Sequence, residues 1–258
     1  MTTNTINWTE RDVRCAAAVL GKASDDGFAL PTLTDEEVVA LDGVQREQIV
    51  ALPWLTAQEA SKDVMCAVAL RGLLAKELVY PVIFEGETEP TRLHATEDIT
   101  GALTLRRSGS TIVSIERTVS TGRRWLYAYV HAEGVLVEEV DDGGLHGFTV
   151  VARRSLADRL AEFVDPEGSA ARDTEAVSYS EAEFEASAPT ALADTRAASN
   201  VVAFSSDTED FPTVTVYTGP DSVHLLTPTT HGDSVSLELR EASRQTLAGI
   251  LGGLAGLS

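Results

Sequence analysis

Apolar residues recur at helical spacing from Val13 to Val79 and at alternate positions from Ile112 onward. Thr9-Glu10-Arg11-Asp12 is a polar helix start, and Val13, Ala16, Ala17, Val19 and Leu20 follow it. Thr34-Asp35-Glu36-Glu37 reads as a capping box, in which a hydroxyl and a glutamate satisfy each other's free backbone donors. Thr56-Ala57-Gln58-Glu59 reads as another. The helix predicted behind it runs Val64, Met65, Cys66, Ala67, Val68, Ala69, Leu70, then Leu73, Leu74 and Leu78. A helix apolar almost all round is a buried one. Pro81 to Thr96 is a polar connection with a short strand at Val82–Phe84, and Asp98 to Leu105 predicts a further helix.

Strand patterns follow at Ile112–Glu116, Trp125–Val130, Val135–Val140 and Phe148–Ala152. The turn Asp141-Asp142-Gly143-Gly144 separates the last two, since aspartate and glycine tolerate left-handed backbone. A helix then begins at Ser155, with Leu156, Leu160, Phe163 and Val164 on one face. The same order recurs at Val201–Phe204, Thr213–Tyr217, Val223–Leu226 and Val235–Leu239, closing in a helix from Ala242 to Leu254. Gly249, Gly252 and Gly253 weaken that helix, leaving close packing or fraying open. Arg124–Gly134 aligns with Phe211–Asp221 at an offset of 211 − 124 = 87 positions, and Leu160–Val164 aligns with Leu247–Leu251 at the same offset.

This duplication predicts an α+β fold: a pseudo-two-fold duplicated antiparallel β-sheet flanked by helices, with an N-terminal helical region. The expected boundaries are 1–97 for the helical region and 98–165 for a first β-β-β-β-α repeat. An acidic linker spans 166–197, and 198–258 is the second repeat. The stretch from Asp165 to Glu185 carries Asp165, Glu167, Asp173, Glu175, Glu181, Glu183 and Glu185 against a single Arg172, which reads as a flexible linker or loop.

The repeats differ in one respect. In the second, Val214 and Val216 alternate with Thr213, Thr215 and Tyr217, the pattern of a sheet with one dry and one wet side. Transferred by 87 positions, the wet side becomes Leu126, Ala128, Val130 and Val151 in the first repeat. Either the N-terminal helices cover this apolar face or a partner does, because an uncovered apolar patch marks an interaction site. These four residues are the candidate partner-binding positions.

Composition narrows the function. Hydrophobic residues make up 43% of 258, an ordinary globular balance with room for a substantial core. A net charge of −20 argues against nucleic acid, which needs a basic stripe, and against anionic membrane. The clusters Arg106-Arg107, Arg123-Arg124 and Arg153-Arg154 read as surface-held element ends. The helix ending Leu70–Val79 has the look of a recognition helix, but the charge opposes DNA binding. No apolar run reaches membrane-spanning length, and Met1–Asn7 has no secretory pattern, so membrane insertion is not expected and the expected location is cytoplasmic. Cys15 and Cys66 read as reduced, buried, small hydrophobes.

Catalytic patterns are missing. Gly21-Lys22-Ala23-Ser24 lacks the preceding glycine and strand of a phosphate loop, and no Gly-x-Ser-x-Gly elbow occurs. His94, His131, His146, His224 and His231 lack metal-ligand spacing, and His131 and His231 read as solvated loop residues. Asp141-Asp142 reads as turn chemistry rather than an acid/base pair. No catalytic, metal or cofactor residues are assigned, no cofactor is expected, and a non-enzymatic protein is expected.

A helix of the form Ala-Leu-Arg-x-Leu-x-Ala-x-x-Leu-Val, here Ala69 to Val79, stands before two strand-and-helix repeats. In this order the chain resembles the EspG family of actinobacterial type VII secretion chaperones. The resemblance implies a cytosolic, non-enzymatic chaperone or adaptor that binds the tip of a secretion substrate, in that family a PE–PPE heterodimer. The long acidic linker departs from the pattern. Two other classes fit an acidic chain without motifs: an immunity or antitoxin-like protein, and an enzyme with a fold-specific site.

Overall fold

The computed structural model describes residues 8–83, 92–205, 211–231 and 234–257. Among them, eight α-helices, eleven strands of antiparallel sheet and a two-stranded ribbon make an α+β fold. The expected N-terminal segment Met1–Asn7 and residue Phe84 lie outside the described residues.

The chain opens with α1 (Glu10–Leu20), where Thr9 and Asp12 form a capping box. Strands β1 (Phe28–Ala29) and β2 (Leu33–Thr34) lead into α2 (Asp35–Asp42), capped by Thr34 and Glu37 as the sequence predicts. Helix α3 (Pro53–Thr56) is a single turn, and α4 (Lys62–Ala75) follows. Thr56 does not cap α4: its hydroxyl donates to the Leu52 carbonyl at 2.6 Å, and α4 begins behind Ser61. Nor is α4 buried all round. Its Cys66 packs with Val39 and Leu55, while Val64 and Val68 on the far side are each 62% exposed. Small and apolar residues on every side made the helix look buried, yet only one side has a neighbour.

Strands β3 (Val79–Val82) and β4 (Arg92–Ala95) form the ribbon, and α5 (Glu97–Ser108) packs on α1. Gly101 is the point of closest approach. A Cβ there would lie 2.5 Å from the Cys15 carbonyl oxygen and 2.5 Å from Val19 Cγ2. Gly101→Ala is therefore expected to destabilise by about 1–3 kcal/mol through overpacking. A urea midpoint equal to that of the wild type would contradict this close crossing.

The first repeat is β5 (Thr111–Val119), β6 (Gly122–Val130), β7 (Val135–Asp141), β8 (Leu145–Val151) and α6 (Leu156–Val164). Next come β9 (Val177–Tyr179) and α7 (Glu181–Ala191). The second repeat is β10 (Ala197–Ser205), β11 (Thr213–Thr218), β12 (Val223–His231), β13 (Ser234–Glu241) and α8 (Arg244–Leu254).

The acidic stretch read as a flexible linker is thus partly regular structure. Three of the carboxylates in it bind backbone donors. Ser180 and Glu183 form a capping box on α7. Asp165 accepts from the Ser169 and Ala170 N–H groups at 2.9 Å each. Asp173 accepts from the Ser243 N–H at 2.9 Å and its hydroxyl at 2.8 Å, fixing the start of α8. Acidic side chains are favoured at such positions because they bind unsatisfied backbone donors. Composition alone cannot distinguish them from solvated charge.

Two compact units comprise residues 1–109 with 131–151, and residues 110–130 with 152–258. In the first unit, β8 pairs with β7 and also takes up β1 and β2. In the second, the strand order is β6-β5-β10-β11-β12-β13-β9. The central pair β5 and β10 are each nine residues long and pair along their whole length around Ile115↔Val201. Each is the other's counterpart about a local two-fold. Helices α6 and α8 meet where a Cβ on Gly252 would lie 3.1 Å from Ala157 Cβ, so this glycine serves close packing.

Candidate protein-binding surface

Directly opposed residues of antiparallel strands point to the same side of the sheet. Ile115 opposes both Leu126 and Val201, and Val201 opposes Val214. Leu126, Ala128 and Val130 therefore share a face with Val214 and Val216, not with Thr213 and Thr215. The constant offset of 87 misassigns them by one residue, and one residue inverts every side chain of a strand. The cause is hairpin length. Ile115 pairs with Leu126 eleven positions on, whereas its counterpart Val201 pairs with Val214 thirteen positions on. Pairing thus relates β5 to β10 by 201 − 115 = 86 positions and β6 to β11 by 214 − 126 = 88.

Leu126 and Ala128 are 0% exposed and Val130 is 2% exposed. Their face is the dry one, and α6 lies on it: Arg117 Nε and Thr218 Oγ1, both on this face, donate to the Val164 carbonyl at 3.4 and 2.9 Å. Val151 belongs to the other unit, opposes Val135 on β7 and is buried as well. None of the four candidate partner-binding residues is a surface residue.

On the opposite face Tyr127 and Tyr129 of β6 are buried, at 6% and 0% exposure, while β5, β10 and β11 leave it half-exposed. Ile112, Ser114, Glu116, Asn200, Val202, Phe204, Thr213, Thr215 and Tyr217 all point to it, and none is buried. Most of it is polar, with Thr215 Oγ1 donating to Asn200 Oδ1 at 3.2 Å. At one end stand two aromatic rings, Phe204 at 42% and Phe211 at 60% exposure, with centroids 5.4 Å apart. A broad polar sheet face carrying an exposed aromatic pair has the make-up of a protein contact: a rim that tolerates water and anchors that gain from losing it. The signal in the sequence was the Phe211-Pro212-Thr213 segment, masked by the misassigned face.

The first unit holds a buried charge network that spacing did not reveal. His146 is 0% exposed and bonds through Nδ1 to Glu138 Oε1 and through Nε2 to Asp35 Oδ1, both at 2.7 Å. Asp35 also accepts the Leu55 N–H at 2.8 Å, tying α2 to α3. Glu138 accepts from Arg106 Nε at 2.8 Å. Arg106 stands 3.6 Å from Asp42, which Arg107 grips through two nitrogens. Burial disfavours a charged imidazole, but the hydrogen bonds it donates to Asp35 and Glu138 outweigh burial and raise the His146 pKa above its ordinary value. Burial likewise works against the Asp42 carboxylate, yet Arg107 and Arg106 hold its pKa below the ordinary value. Both ring nitrogens of His146 are committed to carboxylates, which ties α2 to β7 and β8. Arg106, read as a surface residue, is buried.

The remaining sequence candidates fall into place locally. His131 is half-buried, with Nε2 3.2 Å from the Leu105 carbonyl oxygen and its pKa lowered by burial; it is not a solvated loop residue. Asp141 forms the expected turn, its carboxylate accepting the Leu145 N–H at 3.0 Å, with Gly144 at φ 73°. Cys15 and Cys66 are free and buried. Among the described residues no group of three histidine, cysteine or carboxylate side chains could hold a metal ion. Among them, too, no helix is long and apolar enough to cross a membrane.

No family model matches the chain, and no curated protein matches it. Among solved structures it is similar to the Mycobacterium tuberculosis type VII secretion system chaperone EspG5, solved in complex with a PE25–PPE41 dimer. The match has a TM-score of 0.54 at 9% sequence identity and covers 88% of this chain and 96% of the other. At that identity the likeness is one of fold.

Proposed function

We propose that this chain is a non-enzymatic chaperone or adaptor that binds a secretion substrate of the PE–PPE kind and keeps it soluble in the cytoplasm. The observation that carries this reading is the fold, shared over 88% of the chain with a chaperone solved together with such a dimer. The open sheet face supports it, because a chaperone needs a standing surface and this one is built on a rigid ladder. We assign the contact to the face of β5, β10 and β11, anchored by Phe204 and Phe211.

Truncating an aromatic anchor at a desolvated interface costs about 1–3 kcal/mol of binding, or roughly 5- to 150-fold in Kd. Phe204→Ala and Phe211→Ala should each weaken a PE–PPE heterodimer by that much in calorimetric titration. Because both rings are largely exposed, the unfolding free energy should stay within about 0.5 kcal/mol of the wild type. Unchanged affinity in both variants would remove this face from the contact. An immunity protein would instead neutralise a toxin and leave the heterodimer unbound.

A further inference from the structure

The first unit contains a cleft of about 470 Å³ between the start of α1, the end of α2, α5 and the β3–β4 ribbon. Its volume lies in the range of small-ligand sites. Leu70, Leu93 and Leu103 give it apolar walls, and Trp8 stands at its edge. Three arginines line it, Arg11, Arg46 and Arg107, against two carboxylates, Asp12 and Asp42. In a chain of net charge −20 this is a local reversal of sign.

Both carboxylates are already committed. Asp12 accepts the Thr9 N–H at 2.9 Å and its hydroxyl at 2.8 Å. Asp42 is gripped by Arg107 and lies 3.4 Å from Arg46. Arg11 is different, because its hydrogen bonds run to neutral oxygens: Thr100 Oγ1 at 2.9 Å, the Ala95 carbonyl at 2.6 Å and Tyr80 OH at 3.3 Å. These use three of the five N–H donors of a guanidinium and hold it in place from three elements. The charge is felt locally: burial and then Arg11 and Arg92 depress the His94 pKa. These partners carry no charge, and a carboxylate binds a guanidinium more strongly than a neutral oxygen does, because both groups are then ionised.

We propose that this cleft binds an acidic peptide segment, taking an Asp or Glu carboxylate at Arg11 and Arg46 and an adjacent apolar side chain against Leu70, Leu93 and Leu103. The site is independent of the chaperone reading and stands or falls separately from it.

The test uses the full chain and the fluorescence of Trp8, with Trp8→Phe as the control for the other two tryptophans. The probes are acetyl-Leu-Glu-Phe-amide, its Gln analogue and phenylacetate. The Glu peptide should give a saturable change, at least tenfold weaker for the Gln peptide and weakened further by salt. Arg11→Gln should weaken it at least tenfold. Because Arg11 bridges three elements, Arg46→Gln, whose exposed side chain is bonded to Asp42 at 3.4 Å, serves as the variant that keeps the fold; it should weaken the Glu peptide several-fold at an unchanged melting temperature. Equal binding of the Glu and Gln peptides, or no saturable change with the Glu peptide at millimolar concentration, overturns the proposal. Tighter binding of phenylacetate than of the peptide overturns the peptide assignment in favour of small aryl acids.

Discussion

His146→Ala is expected to destabilise the first unit by about 3–5 kcal/mol, the usual effect of removing one partner from a buried ionic cluster. The reason is the two carboxylates left behind. Asp35 and Glu138 each lose a 2.7 Å bond while remaining fully buried. Glu138 keeps Arg106 and Asp35 keeps the Leu55 N–H, so the loss falls most heavily on the oxygens that faced the imidazole. Urea denaturation of His146→Ala and His146→Gln against the wild type measures it; a loss under about 1 kcal/mol in both, the scale of an exposed pair, would contradict the network. The pH dependence follows from the raised pKa of His146. A group with a raised folded pKa contributes stability that is complete below its unfolded value, near 6.5 for histidine, and is lost as pH rises through the folded value. The stability gap between wild type and His146→Gln should therefore be widest at mildly acid pH and shrink on the alkaline side.

Leu126→Asp and Val130→Asp should unfold the second unit. Each places a carboxylate on the dry face of the sheet, at positions 0% and 2% exposed, where a charge without a partner cannot be accommodated. Thr215→Asp is the control, since Thr215 lies on the open face. Thermal melts should show a loss of cooperative unfolding, or a fall of many degrees, for the first two and little change for the third. Native-like melts for Leu126→Asp with loss of partner binding would restore these residues as a contact surface and overturn the face assignment made from strand pairing.

Much of the architecture was written in the residue pattern. The capping residues Thr9 and Thr34, the strands of both repeats and the helices α6 and α8 follow from local periodicity, which depends only on neighbours a few positions apart. The duplication was also legible, because Leu160 and Leu247 occupy matching buried positions. What periodicity could not supply was the face of each strand across the repeats. That depends on hairpin length, and the longer second hairpin shifts β11 by one residue against a constant offset. The acidic stretch failed for another reason. Asp165, Asp173 and Glu183 accept backbone N–H groups, and whether a carboxylate does so or is solvated depends on backbone that composition does not describe. The His146 network was invisible because it joins Asp35 to a histidine 111 positions away. Helix α4 shows the converse error: apolar residues on all sides are compatible with burial but do not require it.

The central claim is that the chain holds a PE–PPE-type substrate on the open face of β5, β10 and β11. Co-expression with PE–PPE heterodimers from the same genome, followed by size-exclusion chromatography with light scattering, tests it most directly. The account predicts one complex with the summed mass of the three chains, and its dissociation into this chain and the heterodimer in the Phe204→Ser/Phe211→Ser double variant. Separate elution of well-folded wild-type chain and heterodimer, or a complex that the double variant leaves intact, would contradict it.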